Sequence, residues 1–240
     1  MRPVCLLTGA AGTLGSAFVR RHAGTYRILG TYHKAPLSWA TEDGQRFFDP
    51  LDPAADPPGN AHPVCAIPAD LGGPGGVAAL VDRVAEHTDR VDLIVNCAGG
   101  GPWAHLLTPG AADRAGEMFQ LNALAPVQLC VGVARRFWAA DVADNLAHGR
   151  NVVNVSSTAG LVVYPDQGQA LYAGAKAALN HLTYHLASDL WDLGIRVNAV
   201  APDTFPGRVA VDEVLDAIDA LTGSERTGEV VALHGPAVEG

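Results

Sequence analysis

The feature that most constrains the fold of this chain is a regular alternation of short apolar runs with segments of helical periodicity. Seven runs read as buried strands, at residues 4–8, 26–32, 64–70, 91–97, 152–156, 196–201 and 230–233. Segments with helical spacing lie at 15–23, 77–86, 111–139, 171–193 and 209–221. Strands that alternate with helices form βαβ units and a parallel sheet. We therefore expect an α/β fold, a doubly wound parallel sheet of about seven strands, in a single domain over residues 1–240.

Two segments interrupt this alternation. Residues 35–63 contain six prolines, which predict a long loop where a crossover helix is expected. Residues 141–150 predict a lengthened connection before the fifth strand, and we assign it no function.

The first strand runs into a glycine-rich turn, Thr8-Gly-Ala-Ala-Gly-Thr-Leu-Gly15. Gly9 permits a tight turn, Gly12 lets the backbone approach a ligand, and Gly15 lets the next helix pack closely. A pyrophosphate can then bind at the N-terminus of that helix. Such a turn can also be only a tight connection, but its place between a strand and a helix favours the dinucleotide-binding (Rossmann) interpretation.

A tyrosine and a lysine four residues apart, Tyr172 and Lys176, lie in a helical segment, and Ser157 lies fifteen residues before the tyrosine. Residues at this spacing share a helix face, and an ammonium beside a phenol lowers the pKa of the phenol. The pair can also mark only an amphipathic helix with a solvated lysine. The glycine-rich turn, the turn Asn96-Cys-Ala-Gly99 and Asn122 favour an acid/base catalyst.

Composition argues against several classes of partner and site. A net charge of −9 and an isoelectric point near 5.3 argue against nucleic acid or an anionic membrane, because both select a basic surface. No apolar run suggests a membrane span, and the first strand starts too early for a signal peptide, so we expect a cytoplasmic protein. The four cysteines are widely spaced and lack histidines at metal-ligand spacing, so we expect neither disulfides nor a metal site.

Together these motifs resemble the short-chain dehydrogenase/reductase family of NAD(P)-dependent oxidoreductases. The resemblance extends through Asn198-Ala-Val-Ala-Pro202 and Thr227-Gly-Glu-Val230, almost to the C-terminus. It implies that Tyr172 exchanges a proton with the reacting oxygen, and that Ser157 rather than Ser156 hydrogen-bonds that oxygen. It further implies that Lys176 lowers the pKa of Tyr172 and binds the nicotinamide ribose. The implied catalytic set is Asn122, Ser157, Tyr172 and Lys176, with Asn122 holding the water and backbone of a proton relay.

The resemblance also implies a cofactor site along the carboxyl ends of the strands. Asp70 would bind the adenine edge, and Asn96 would brace the central strands. The implied cofactor contacts are Gly9, Gly12, Thr13, Leu14, Gly15, Asp70, Leu71, Asn96, Ala98, Gly99, Tyr172, Lys176, Pro202 and Thr204.

The chain departs from the family pattern at two places. Thr13 stands where single-domain members usually have the middle glycine, a spacing typical of extended members that carry an added substrate domain. After Pro202 the family usually has glycine and a substantial lid helix, whereas this chain has Asp203-Thr-Phe-Pro-Gly-Arg208. We therefore expect an open substrate pocket unless residues 35–63 or a second subunit cover it.

The end of the second strand bears on cofactor choice. An acidic residue there would hold the ribose 2′-hydroxyl of NAD and repel the 2′-phosphate of NADP. This chain has His33 and Lys34 instead, which suit a phosphate but can also be solvated surface residues. NADP (NADPH) is the favoured cofactor, and NAD is the alternative.

The function predicted is NADPH-dependent reduction of a ketone or aldehyde of a free small molecule to an alcohol. The alternatives are an NAD-dependent alcohol dehydrogenase, a catalytically silent nucleotide-binding regulatory or partner subunit, and a dehydratase or epimerase suggested by the glycine spacing. The segments 111–139 and 171–193 are apolar on more than one face, which predicts a homodimer or homotetramer. The residues expected to line the substrate pocket are Trp103, His105, Val162, Val163, Tyr164 and Gln167.

Overall fold

Seven parallel strands form one sheet in the computed structural model, which describes residues 2–34 and 64–235. The strand order is β3-β2-β1-β4-β5-β6-β7, so the expected doubly wound sheet is confirmed. The proline-rich segment 35–63 lies outside the described residues, and the loop expected there stays a prediction. The strands are β1 Val4–Thr8, β2 Arg27–Tyr32, β3 Val64–Pro68, β4 Leu93–Asn96, β5 Asn151–Val155, β6 Arg196–Pro202 and β7 Val230–Leu233.

Helices cover both faces of the sheet. One face packs against α1 and α7, and the other packs against α2, α4 and α6. Among the described residues, no helix has both the length and the hydrophobicity to cross a membrane. The helices are α1 Thr13–His22, α2 Gly76–His87, α3 Ala115–Phe119, α4 Ala125–Val133, α5 Val142–His148, α6 Ala170–Asp189 and α7 Val211–Thr222.

The two apolar cores follow from the alternation of side chains along each strand. In β1, Leu6 points into the core beneath α2, α4 and α6, whereas Cys5 and Leu7 point into the core beneath α1 and α7. All three side chains are fully buried. A strand that is buried on both faces has to be apolar throughout, which is why the short runs were readable from sequence.

The segment 111–139 is helical, as expected, but it is not one α-helix. A 3₁₀ turn at Ala112–Arg114 leads into α3, and π-helical turns at Gln120–Leu124 and Ala134–Trp138 flank α4. Pro126 explains the first π turn, because proline has no N–H to donate to the carbonyl four residues earlier, which belongs to Asn122. The irregular turn therefore coincides with a residue of the predicted catalytic set.

The segment 141–150, expected to be a plain connection, contains a helix, α5. The side chain of Asp141 accepts a hydrogen bond from the backbone N–H of Asp144 at 2.9 Å, which caps the first turn. Gly149 ends the helix at φ 59°, in the left-handed region. The Asn145 amide then donates to the carbonyls of Trp138 and Leu193, so the helix is tied to both neighbouring segments.

The apolar faces that predicted an oligomer are partly buried within the chain. Leu129, Leu179, Leu186 and Leu190 all lie in the core, at 8% exposure or less. Leu124 is 42% exposed. The homodimer or homotetramer therefore stays a prediction that rests on fewer residues than the sequence indicated.

A buried charge cluster ties the start of β1 to the start of β5. Asp92, which is 5% exposed, accepts hydrogen bonds from the backbone N–H of Val4 at 2.6 Å and from Arg90 Nε at 2.9 Å. It also pairs with Arg150, which is itself buried. A buried guanidinium that loses a carboxylate partner is costly. The stability at the amino ends of these central strands therefore depends strongly on Asp92.

We predict that Asp92→Ala lowers the free energy of unfolding by about 3–5 kcal/mol, because the buried Arg150 keeps only the partly exposed Asp144 as a carboxylate partner and the Val4 N–H loses its acceptor. Asp82, an exposed residue of α2, supplies the matched control, and Asp82→Ala should change stability by less than about 0.5 kcal/mol. Urea unfolding of the two variants measures the difference. Equal losses in both would show that the cluster contributes nothing beyond surface charge.

Candidate active site

The candidate site lies where the strand order reverses. β1 pairs with β2 on one side and with β4 on the other, so the connections that leave β1 and β4 run to opposite faces of the sheet. In open α/β sheets this reversal leaves a crevice at the carboxyl ends of the strands, and ligands bind there. Thr8 ends β1 and Asn96 ends β4, in register with each other.

Polar side chains fix the mouth of the crevice. The Thr8 hydroxyl accepts hydrogen bonds from the backbone N–H groups of Cys97 and Ala98, both at 3.0 Å. The Asn96 amide donates to Asn154 Oδ1 at 2.8 Å, which joins β4 to β5. Both asparagines are buried, so the bond replaces water for each of them. The bond ties two central strands together at the mouth of the crevice.

The glycine-rich turn crosses the crevice with no room for side chains. Gly9 has φ 67°, and a Cβ there would lie 2.8 Å from the Ala98 backbone. A Cβ at Gly15 would lie 2.3 Å from the carbonyl oxygen of Gly9. Gly12 is the N-cap of α1, and no side chain caps this helix terminus. The first N–H groups of α1, including those of Thr13 and Leu14, are thus available to an anion.

Asn122 lies in the π-helical turn and packs against the backbone after β4. Its side-chain amide donates to the carbonyl of Gly100 at 2.9 Å, and its Oδ1 accepts from the Gly100 N–H at 2.8 Å. Gly99 is needed beside it, because a Cβ there would lie 2.9 Å from Asn122 Oδ1 and 3.3 Å from Lys176 Nζ. The structure thus brings Asn122, Gly99 and Lys176 together.

Lys176 is a buried cation at the floor of the crevice. Its side chain projects from α6 toward the end of β5, where Nζ donates to the carbonyl of Val155 at 2.8 Å. Only 4% of the residue is exposed. Burial lowers the pKa of Lys176 to about 8, because the charged form loses its hydration. The ammonium is therefore poised to gain or release a proton near neutral pH.

Tyr172 lies one turn before Lys176 on α6, and Lys176 Nζ is 5.8 Å from the centre of its ring. Burial raises the pKa of Tyr172, and a hydrogen bond with Ser157 lowers it in part. The expectation that Lys176 sets a lowered pKa in Tyr172 is therefore wrong for this arrangement, because the ammonium donates to Val155 and desolvation of the phenolate is the larger effect. The phenol is held in its protonated form.

Ser156 and Ser157 make different contacts. Ser156 is buried, and its hydroxyl donates to the backbone carbonyl of Lys176 at 3.4 Å. Ser157 hydrogen-bonds the Tyr172 hydroxyl, and its own Oγ accepts from the N–H of Ala159 at 3.1 Å. Ser157 and Tyr172 thus point their hydroxyls at one another.

These hydroxyls open into a cleft of about 320 Å³. The Trp103 ring lies 6.1 Å from the ring of Tyr172, and the Tyr164 hydroxyl shares a 2.8 Å hydrogen bond with Thr158. Trp103, Tyr164 and Gln167 line this cleft, as expected. His105, Val162 and Val163 instead line an adjacent cavity of about 660 Å³, which Tyr164 and Gln167 also border.

The segment after β6 closes one side of the cleft, and sequence reasoning did not anticipate how. Asp203 is 7% exposed, pairs with Arg208 at 3.1 Å, and accepts a hydrogen bond from the N–H of Thr204 at 2.7 Å. Pro202, Thr204, Phe205 and Arg208 all face the cleft, as does Gln169. In the sequence, the available signal for this ion pair was an aspartate followed by an arginine five residues later.

The adenine side of the crevice presents both signs of charge. His33 and Lys34 follow β2 and are exposed, and Asp70 follows β3 ahead of Leu71. The Asp70 carboxylate accepts hydrogen bonds from the N–H groups of Gly72 and Gly73, both at 3.1 Å, and lies 3.8 Å from His33 Nε2. The His33 imidazole and the Asp70 carboxylate are therefore close together.

The shape and the polar groups of the crevice fit a nicotinamide dinucleotide. An uncapped helix N-terminus lies beside glycines whose Cβ atoms would clash, and the far end holds a buried ammonium with a phenol. Within residues 2–34 and 64–235, no group of three or more metal-ligating side chains is found.

The family model for short chain dehydrogenases matches residues 3–213. The chain belongs to the short-chain dehydrogenase family.

Three matches to known proteins illustrate this relationship. A rhamnolipids biosynthesis 3-oxoacyl-[acyl-carrier-protein] reductase of Pseudomonas aeruginosa is 33% identical over 60% of this chain, and the match spans 54% of that relative. The solved Pseudomonas aeruginosa RhlG/NADP active-site complex is similar at TM-score 0.76 and 23% identity, covering 97% of this chain and 95% of the other. A Brucella ovis oxidoreductase solved with a partially ordered NAD is similar at TM-score 0.71 and 28% identity, covering 98% and 100%.

We predict that burial of Lys176 makes the stability depend on pH in an identifiable way. The folded pKa of about 8 lies below the ordinary lysine value of about 10.4, so unfolding takes up a proton between them and rising pH stabilises the fold through this group. The free energy of unfolding of the wild type, minus that of Lys176→Met, should rise by about 2 kcal/mol from about pH 7.5 to about pH 9.5. Urea unfolding at both pH values measures it.

Subtraction of the Lys176→Met variant removes the contributions of other groups that titrate in this range. The thiols of Cys97 and Cys130, whose pKa values burial raises to about 12, are present in both proteins. A difference that stays constant with pH would contradict the lowered pKa of Lys176.

Proposed function

We propose that this protein reduces the carbonyl group of a small molecule to an alcohol with NADPH. The observation that carries the proposal is that Tyr172 and Ser157 line one cleft with their hydroxyls together, with the Lys176 ammonium buried behind them. A bound nicotinamide cofactor supplies the hydride. The glycine-rich turn and the N-terminus of α1 bind its pyrophosphate, and Lys176 binds its ribose.

The pKa shifts of Tyr172 and Lys176 suit a proton transfer from the protein to the substrate oxygen. Burial keeps the Tyr172 phenol protonated at neutral pH, so Tyr172 can donate its proton to a carbonyl oxygen that gains negative charge. Ser157 donates a hydrogen bond to the same oxygen. The Lys176 ammonium, with a pKa of about 8, then supports return of a proton to the tyrosinate.

Tyr172→Phe tests the proposed proton donor. We expect kcat on a ketone substrate to fall at least about 100-fold, because the variant keeps the ring but has no proton to give. Titration of protein fluorescence with NADPH should give an unchanged Kd. Tyr184→Phe, on the exposed face of the same helix, is the control and should keep wild-type kcat. Turnover of a confirmed substrate by Tyr172→Phe at the wild-type rate would exclude this mechanism.

NADP is proposed over NAD from the cations after β2. His33 and Lys34 are exposed at the adenine side, where a 2′-phosphate would accept charge-assisted hydrogen bonds from them. Asp70 is the opposing feature, since its carboxylate is 3.8 Å from His33. The Pseudomonas structure contains NADP and the Brucella structure contains NAD, so the fold accommodates both cofactors in related proteins.

We predict that Lys34→Ala raises the KM for NADPH about tenfold and leaves the KM for NADH unchanged, because only the 2′-phosphate loses a charged partner. Arg20→Ala, an exposed cation seven residues into α1, controls for a general loss of positive charge. Initial-rate kinetics with both cofactors measure the ratio. If NADH is the better cofactor of the wild type, the NADP assignment fails and the alcohol dehydrogenase alternative gains support.

The substrate is proposed to be a free small molecule. The Pseudomonas relative is named for a carrier-bound 3-oxoacyl substrate. This chain carries a net charge of −9, which disfavours approach of an acidic carrier protein. The cleft wall combines the Trp103 ring with the hydrogen-bonded Tyr164, a mixed aromatic and polar surface that suits a flat or medium-sized ketone.

Trp103→Ala and Tyr164→Ala should each raise KM more than they lower kcat, because both side chains contact the substrate without touching the reacting oxygen. Tyr164→Phe removes only the hydrogen bond to Thr158 and separates the ring from the hydroxyl. Steady-state kinetics on a confirmed ketone provide the measurement. Unchanged kinetics in both alanine variants, or activity restricted to a carrier-bound substrate, would overturn this assignment.

A further inference from the structure

Two histidines face one another on the outer surface of α6, away from the catalytic cleft. His181 and His185 are one turn apart, both are exposed, and their Nε2 atoms lie 3.3 Å from each other. The ring centroids are 4.9 Å apart with the planes at 74°. The rings of Tyr184 and His181 are nearly perpendicular, with their centroids 6.3 Å apart. The two Nε2 atoms share a hydrogen bond and lie side by side on the exposed face of the helix.

The distance between the two nitrogens matches the distance between two nitrogen ligands of a tetrahedral metal ion. With Zn–N bonds of about 2.05 Å and a tetrahedral angle, two nitrogen ligands lie ~3.3 Å apart, whereas a right angle would bring them to ~2.9 Å. The measured 3.3 Å is the tetrahedral value. Neutral imidazole binds zinc through Nε2 when Nδ1 carries the proton, so metal binding replaces the hydrogen bond between the rings and moves the donor ring's proton from Nε2 to Nδ1.

The helix that carries the pair is held rigidly. The opposite face of α6 buries Leu179, Thr183 and Leu186, which alternate in sequence with the two histidines. The spacing of the ligands is thus fixed by the backbone and by packing of the helix on the sheet. Little conformational entropy remains to be lost when a metal binds.

We propose that His181 and His185 form a two-imidazole chelate for a divalent transition metal, with a tetrahedral preference that favours zinc. The site is separate from the proposed chemistry, because His181 follows Tyr172 by nine residues, or ~13.5 Å along the helix axis. Two coordination positions remain open to water or to the same pair of a second copy. The sequence expectation of no metal site weighed the histidines only as partners of the cysteines.

The test is a zinc titration of tag-free protein at about pH 7.5 in competition with a chromogenic chelator. We expect His181→Ala and His185→Ala each to weaken binding about 100-fold, because loss of either ligand removes the chelate. His148→Ala supplies the matched control: this exposed histidine of α5 lies beside Asp144, outside the pair, and its loss should leave zinc affinity unchanged. Reductase turnover in the presence of a chelator checks that each variant is folded.

Stoichiometry distinguishes the two ways of completing the site. One zinc per chain indicates water in the open positions, and one zinc per two chains, with a matching mass by light scattering, indicates a second copy. Both results support the chelate. It is overturned if the His181→Ala/His185→Ala double variant binds zinc as tightly as the wild type, or if the wild type shows no binding that the pair accounts for.

Discussion

The hydrogen bonds that lock the carboxyl ends of β1, β4 and β5 together are the constraint on which the site depends. The Thr8 hydroxyl holds the backbone after β4, and the Asn96 amide holds Asn154 of β5. Asn154 in turn donates to Thr183 of α6 at 3.0 Å. Strand ends of a parallel sheet would otherwise fray, since their last backbone groups have no partners. This chain of bonds fixes the glycine-rich turn relative to the helix that carries the catalytic pair.

Burial shifts the pKa values of that pair, Lys176 and Tyr172, in opposite directions. It lowers the pKa of Lys176 and raises the pKa of Tyr172, so two values that are ordinarily similar move apart and the ammonium becomes the stronger acid of the two. A proton therefore passes favourably from the Lys176 ammonium to a tyrosinate.

Sequence patterns were sufficient for the sheet and insufficient for the local geometry around the predicted site residues, whose roles stay predictions. The β strands were readable because each is buried on both faces, and Tyr172 with Lys176 was readable because helical spacing is regular. The π-helical turn at Asn122 depends on a missing hydrogen bond at Pro126, which periodicity does not report. The direction of the Tyr172 pKa shift depends on burial. The formation of α5 depends on its caps at Asp141 and Gly149. The cleft residue Arg208 required knowledge of the turn after β6.

The site also imposes a conflict between folding and function. A lysine held in an apolar interior with a lowered pKa destabilises the folded chain whenever it is charged, and near neutral pH it is mostly charged. The fold tolerates this because Nζ still donates to the Val155 carbonyl and because the surrounding sheet is buried and regular. A methionine at the same position would relieve the cost and remove the cation. Retention of the lysine is therefore evidence that the position is selected for chemistry rather than for stability.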